Sequence, residues 1–262
     1  MNTTIHLYGP LSIQTFGLMI VIGIFLVCWL MQKNPVYSRI MGTHHILDVA
    51  VVGTFIGVLG ARMLYVVGAW EHLGSWTDIF KIWDEGSTGF SGTGAIVAIA
   101  LLLPLYLRAQ GIAALPFLDM LAIYTPILQM CVRIGCFFAG CCYGLPTQLP
   151  WGITYTNLEA LAPLCVTLHP TQLYSAAVLF GIFLFLYFVV QHWHLKPGNV
   201  TLIYLVLAGI ERFAVDFLRD DRELFDTPMA SILSLQQWVA VGIIGVAGVV
   251  LLRNYCTKKV RS

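Results

Sequence analysis

Charge is what this sequence has least of. Asp, Glu, Lys and Arg make up 10% of its 262 residues, against about 25% in a soluble domain. The formal net charge is +1, so there is no cationic surface for a polyanion, and nucleic acid is not expected as a partner. No Gly-Lys-Ser/Thr follows the glycine-rich stretch Gly86–Gly94, which excludes a nucleotide-binding phosphate loop. The seven cysteines contain no Cys-x-x-Cys pair, so the usual zinc-ribbon spacing is missing. No basic segment precedes the first apolar run, and no cleaved signal peptide is expected.

What is present is long apolar sequence: 58% of the residues are hydrophobic. Runs of about twenty such residues are enough for a helix to cross roughly 30 Å of hydrocarbon. The fold class is all-α, a polytopic helical membrane protein. Seven spans are expected, at 12–31, 46–69, 90–108, 114–139, 172–192, 199–217 and 231–253. The sixth is the weakest, because Glu211, Arg212 and Asp216 interrupt it. The whole chain reads as one membrane domain, with residues 140–171 as an outer loop or small head. With the N-terminus outside and the C-terminus inside, Lys33, Arg39, Arg108, Lys196, Arg253, Lys258, Lys259 and Arg261 fall on the inner side. Lys81, Arg219 and Arg222 fall on the outer side. The positive-inside rule favours that orientation.

Three basic residues lie within the spans themselves: Arg62, Arg133 and Arg212. In this topology all three sit near the outer ends of outward-running helices, at one depth. A guanidinium keeps its charge in a low-dielectric site and needs an anion or a polar cavity. Snorkelling, or ion pairs with Glu211 and Asp216, is one reading. The other is a pocket for an anionic lipid phosphate gripped by bidentate arginines. Arg212, Asp216 and Arg219 share a stripe by i, i+4, i+7 spacing. Arg133, Cys136 and Gly140 share a face by the same logic. Gly53 and Gly57 are expected to allow close helix packing, and Tyr65 lies one turn beyond Arg62. Trp70, Trp76 and Trp83 suit an aromatic belt.

The outer loop 140–171 has no Lys or Arg and holds Pro146, Pro150, Pro163 and Pro170. A connection of that length is usually functional. It ends at His169, the best-placed proton acceptor on the outer side. Cys136, Cys141, Cys142 and Cys165 fall near the same face. Three readings stand open for them: a disulfide from Cys141 or Cys142 to Cys165, packed free thiols, or a metal site with His169.

Several segments together resemble the bacterial prolipoprotein diacylglyceryl transferase family. They are Phe16–Met19, Gly60–Tyr65, Trp83-Asp84 with Phe90-Ser91-Gly92, Arg133–Phe137, Gly140–Gly144, His169–Tyr174 and Arg212–Arg219. The resemblance implies a seven-span protein of the bacterial cytoplasmic membrane, acting at its outer face. It implies transfer of a diacylglyceryl group from phosphatidylglycerol to the lipobox cysteine of a prolipoprotein, with glycerol phosphate released and no cofactor or metal. Arg133 and Arg212 match the family's key arginines, Asp216 its acidic residue, and Gly144 a glycine near the lipid phosphate. His169 joins the two arginines as a catalytic candidate. Arg62, Phe16, Ser91, Gly92, Gly135, Cys136, Gly140, Cys141, Gly144, Gln172, Tyr174, Asp216 and Arg219 are candidates for substrate binding. The sequence departs from the family pattern at Phe16 (tyrosine there), Ser91 (histidine), Cys136 (asparagine) and Cys141 (glutamate). Another acceptor nucleophile, a cysteine-based redox or metal protein, and a lipid carrier without chemistry are the rival readings.

Overall fold

The computed structural model describes residues 4–8, 11–68, 89–193, 195–220 and 233–259. The expected tryptophan belt, Lys81, Arg222 and Arg261 lie outside them. Helices dominate: α1 (Thr15–Lys33), α2 (Tyr37–Met41), α3 (Ile46–Gly68), α4 (Gly92–Ala109), α5 (Ala114–Ala139), α6 (Thr171–Phe188), α7 (Asn199–Asp216) and α8 (Leu235–Lys259). Among the described residues, six helices are long and apolar enough to cross a membrane: α1, α3, α4, α5, α6 with the 3-10 turn that follows it, and α8. Each carries large apolar side chains on its outside, such as Phe25, Val51, Leu101, Phe180 and Val246. Lipid replaces water as solvent for such surfaces. The chain is therefore a multi-pass helical membrane protein. The seventh long helix, α7, has 18 residues but includes Glu211, Arg212 and Asp216.

The first apolar run does not begin as helix. Thr4–Tyr8 (β1) pairs antiparallel with Leu11–Gln14 (β2), and α1 starts directly after, at Thr15. The expected start at residue 12 is thus three residues early. Ser12 and Gln14 pair across to His6 and Thr4, which absorbs their backbone polar groups.

Two compact units divide the chain: Asn34–Phe117, and Met1–Lys33 together with Leu118–Ser262. In the first, α3 and α4 meet at glycine. A Cβ on Gly60 would lie 2.6 Å from the carbonyl oxygen of Gly94, and one on Gly94 would lie 2.3 Å from that of Gly60. Gly57 is close to Ile99, at 3.1 Å, while Gly53 faces open space. Close packing was expected at Gly53 and Gly57; it centres one turn further on, at Gly60.

In the second unit α1 lies against α5. A Cβ on Gly23 would meet Leu128, and one on Gly135 would stand 3.3 Å from the Cα of Phe16. Helix α7 packs against α6 and α8. Asp119 of α5 holds the start of α7, its carboxylate accepting from the backbone N–H groups of Gly198 (2.6 Å) and Thr201 (2.8 Å) and from the Thr201 hydroxyl. Those N–H groups have no partner inside the helix, so a carboxylate there satisfies them and the helix dipole together. Helix α8 starts with a reciprocal cap. Ser234 accepts from the Gln237 N–H, and the Gln237 side chain accepts from the Ser234 N–H. This is the Ser-x-x-Gln form of the capping box.

Candidate active site

Helix α5 ends in a way that bends the chain back on itself. Gly140 takes a left-handed φ of +72°, and the Cys141 N–H bonds the Cys136 carbonyl at 3.1 Å. That six-to-one bond with glycine at C′ is a Schellman motif. The helix therefore stops before Gly140, so this residue reaches Cys136 through a turn and not along a helix face. Cys142 also has positive φ, +58°. A non-glycine residue there costs about 1–2 kcal/mol, and such strain persists only when neighbours enforce it. The neighbours are Thr171 and Gln172, at the start of α6. The Thr171 hydroxyl donates to the Cys142 carbonyl at 2.8 Å, and the Gln172 amide to the Cys141 carbonyl at 2.7 Å. Gln172 is 1% exposed, and its side-chain oxygen has no partner among the described residues.

Beyond the bend, three segments form a small sheet-like crossing. The Gly144 N–H donates to the His169 carbonyl (3.0 Å), the His169 N–H to the Leu145 carbonyl (3.0 Å), and the Leu145 N–H to the Leu218 carbonyl (2.9 Å). Gly144 also bridges Arg219. A Cβ on Gly144 would lie 2.6 Å from the Cβ of His169 and 2.7 Å from the Leu218 carbonyl oxygen, so only glycine fits. Ile153–Thr154 (β3) pairs with Thr167–Leu168 (β4), and Tyr155, Ala162 and Leu168 form a small core under the loop. Burial pushes the Tyr155 hydroxyl up to about 12, and it donates to the Phe137 carbonyl. All seven cysteines are free thiols, and Cys165 is exposed. Hydrogen bonds and this core hold the loop where a disulfide to Cys165 was one of the open readings.

The crossing gathers cations. Helix α7 stops at Asp216, and a turn carries Arg219 inward, its N–H bonding the Asp216 carbonyl at 3.2 Å. Arg219 thus arrives by a turn and a bridge, not by the helical stripe the spacing suggested, and is only 5% exposed. The guanidinium of Arg212 lies within electrostatic range of Arg133, Arg219, Asp216 and Cys142. Arg212 pairs with Asp216 at 3.9 Å. Asp216, 2% exposed, also receives the hydroxyl of Ser234. Arg133 is half-buried.

The thiols of Cys136, Cys141 and Cys142 lie within 4.8 Å of one another beside these arginines. Hydrogen bonds from Cys136 and Cys141, then the charges of Arg219 and Arg133, hold the Cys142 thiol far below the ordinary thiol range. The same contacts push the Cys141 thiol up. His169, half-buried, places Nδ1 3.3 Å from the Tyr174 hydroxyl, which accepts from the Trp151 indole at 2.8 Å. His169 is not part of the thiol group. Glu211 is buried and accepts the Ser175 hydroxyl.

The remaining candidates belong to the other unit. Arg62, 7% exposed, donates to the Gly89 carbonyl at 3.1 Å and lies over the rings of Tyr65 and Phe90 at 5.5 and 5.8 Å. Ser91 caps α4, its hydroxyl accepting from the Gly94 N–H, and its own N–H bonds the Ala61 carbonyl. Gly92 is the first residue of α4, and a Cβ built on it would meet nothing within 4 Å. Sequence reading missed Thr171 and Ser234. The signal for Ser234 was there in the Ser-x-x-Gln spacing, and Thr171 lies within the family-like segment His169–Tyr174.

The family model described as prolipoprotein diacylglyceryl transferase matches residues 2–253. A phosphatidylglycerol–prolipoprotein diacylglyceryl transferase of Clostridium tetani is 36% identical over 236 residues, 90% of this chain and 90% of that protein. One from Finegoldia magna is 31% identical over 255 residues, covering 96% of this chain and 95% of its own. A protein of Clostridium perfringens with the same name, numbered 2, is 30% identical over 246 residues, 93% and 91% of the two chains. Matched along almost its whole length, arginines and outer loop included, the chain belongs to the prolipoprotein diacylglyceryl transferase family.

Proposed function

We propose that this protein transfers the diacylglyceryl group of phosphatidylglycerol to the lipobox cysteine thiol of a prolipoprotein, at the outer face of the bacterial cytoplasmic membrane. The observation that carries the reading is the convergence of Arg133, Arg212 and Arg219 within one unit. Arg133 and Arg212 keep their charge in this partly buried place beside Asp216, and charge-assisted bidentate bonds would hold an anionic phosphate there in a fixed orientation.

In this topology α7 is the sixth of seven spans, the N-terminus is outside and the C-terminus inside, and residues 140–171 form a small head within one membrane domain. Arg133 and Arg212 grip the phosphodiester. They also stabilise the charge that gathers on the departing glycerol phosphate, the step where fixed donors act most strongly. Asp216 keeps Arg212 aimed. Arg219 adds charge from the crossing. His169 takes the proton of the acceptor thiol, with Tyr174 orienting its ring. Gly135, Gly140 and Gly144 let the walls approach closely, and Phe16 and Gln172 line the lipid's path.

Purified full-length protein, given labelled phosphatidylglycerol and a lipobox peptide, should release glycerol phosphate and yield a diacylglyceryl thioether on the peptide cysteine. A peptide with serine in that place should give none. No lipid on the cysteine peptide, from protein that still melts cooperatively, would overturn the reading.

A further inference from the structure

We infer that Cys142 is a peroxide-reactive thiol resolved by Cys136: a hydroperoxide oxidises the pair to a disulfide across the turn that ends α5, and a dithiol reductant opens it again. This modification site stands apart from lipid transfer and does not depend on that reading.

The backbone brings the sulfurs together. The Schellman turn carries Cys141 back to Cys136, whose carbonyl accepts from the Cys141 N–H at 3.1 Å and from its thiol at 3.8 Å. The next residue, Cys142, has positive φ, and the three thiols lie within 4.8 Å of one another. A disulfide bond is about 2 Å long, so closure takes at most about 3 Å of movement shared between two side chains.

The attacking sulfur is that of Cys142. The thiols of Cys136 and Cys141 donate hydrogen bonds to it, and it faces the charges of Arg219 and Arg133. Donors and cations around a sulfur favour the thiolate, which is the nucleophile. Cys142 is only partly buried, so a small peroxide reaches it. Cys165 is more exposed but lies outside the group. Cys136 is the resolving thiol, because a bond between Cys141 and Cys142 would close an eight-membered ring through their shared peptide. That ring would twist a peptide that prefers to be planar and trans. Gln172 already holds the carbonyl of the same peptide, and Thr171 holds the next one. Cys136 stands six residues away, across the turn, and meets no such restraint.

The electrons balance. The Cys142 sulfur bonds one peroxide oxygen, the oxygen–oxygen bond breaks, and its electron pair leaves on the other oxygen, which is protonated to water. Cys142 is now a sulfenic acid, which condenses with a nearby thiol. The Cys136 sulfur loses its proton and bonds the Cys142 sulfur. The sulfur–oxygen bond breaks, and the hydroxide leaves with that proton as a second water. Two thiols have given up two electrons, and hydrogen peroxide has taken them.

Reduced, purified full-length protein treated with a few equivalents of hydrogen peroxide is the test. Free thiols are then blocked with maleimide, and the chain is cut with chymotrypsin, which separates Cys136 from Cys142 at Phe137 and Phe138. Mass spectrometry should find the two peptides joined by a disulfide, and dithiothreitol should release them. Cys142→Ser should slow peroxide-dependent thiol loss in the group at least tenfold. Cys136→Ser should leave a sulfenic acid on Cys142 that dimedone traps. Cys165→Ser and Cys256→Ser should leave the rate unchanged. Should the Cys136 and Cys142 variants fail to fold, the wild type still decides through the joined peptides and their rate. A group that stays reduced while Cys165 oxidises, or a bond between Cys141 and Cys142 within one peptide, overturns the inference. Neither result bears on lipid transfer, which its own assay decides.

Discussion

Ser234, the first residue of the α8 capping box, gives its hydroxyl hydrogen to the carboxylate of Asp216 at the end of α7. The same hydroxyl oxygen accepts the Gln237 N–H, and the Gln237 amide donates to the Phe213 carbonyl. One helix start is thereby locked onto another helix end, and Asp216 is held where it meets Arg212.

Ser234→Ala removes both the cap and the bond to Asp216. Loss of an N-cap costs about 1 kcal/mol, and a thermal melt should show it. Transfer should also slow, mainly in kcat, because Arg212 loses its fixed aim. Ser234→Thr, which keeps the hydroxyl, should recover most of both. A stability loss with kcat unchanged would show that Asp216 is held without this bond.

Arg133→Ala should lower kcat/KM by about 10²-fold or more, the usual effect of deleting one charge-stabilising donor. Its melting temperature should change little, since the side chain is only half-buried. Arg133→Lys should recover only a small part, because an ammonium lacks the planar fork. Steady-state kinetics with labelled phosphatidylglycerol decide it. Unaltered turnover in Arg133→Ala would remove this arginine from the mechanism.

Gly144→Ala places a methyl 2.6 Å from the His169 Cβ and 2.7 Å from the Leu218 carbonyl oxygen. The three segments must separate, which costs about 1–3 kcal/mol by the usual scale of overpacking, and the turn bearing Arg219 moves with them. Both melting temperature and activity should fall. Gly53→Ala is the matched control: it meets nothing within 4 Å inside α3, so it should raise stability by about 0.5–1 kcal/mol and leave transfer intact.

Asp119→Ala leaves the Gly198 and Thr201 N–H groups without their acceptor. About 0.5–2 kcal/mol of stability should be lost, as for other N-terminal caps. Asp119 is fourteen residues from Arg133 along α5, about 21 Å at helical rise. Transfer by the folded fraction should therefore match wild type, and a reduced kcat per folded molecule would contradict the separation.

The membrane class and most helix positions were legible because they depend on local composition. An apolar run long enough to cross lipid must close its own backbone hydrogen bonds, and α3, α4, α5 and α8 follow their runs to within a few residues. The family was legible because its short segments occur in order. Where the first helix starts was not, since nothing local in Ser12–Gln14 bars it from the first turn of α1, and it pairs as a strand because β1 is opposite. The close approach at Gly60 needed Gly94 of another helix, which no spacing within α3 reveals.

By itself the sequence determined a helical membrane protein, with arginines where lipid would otherwise exclude them, because burying a guanidinium is costly wherever the chain goes. Tertiary structure alone decided which groups share a place. Arg219 joins Arg133 and Arg212 through a turn and a bridge to Gly144, and three cysteines face one another through two left-handed residues held by α6. Those arrangements depend on contacts between segments far apart in the chain, and such contacts leave no periodic trace in any one of them.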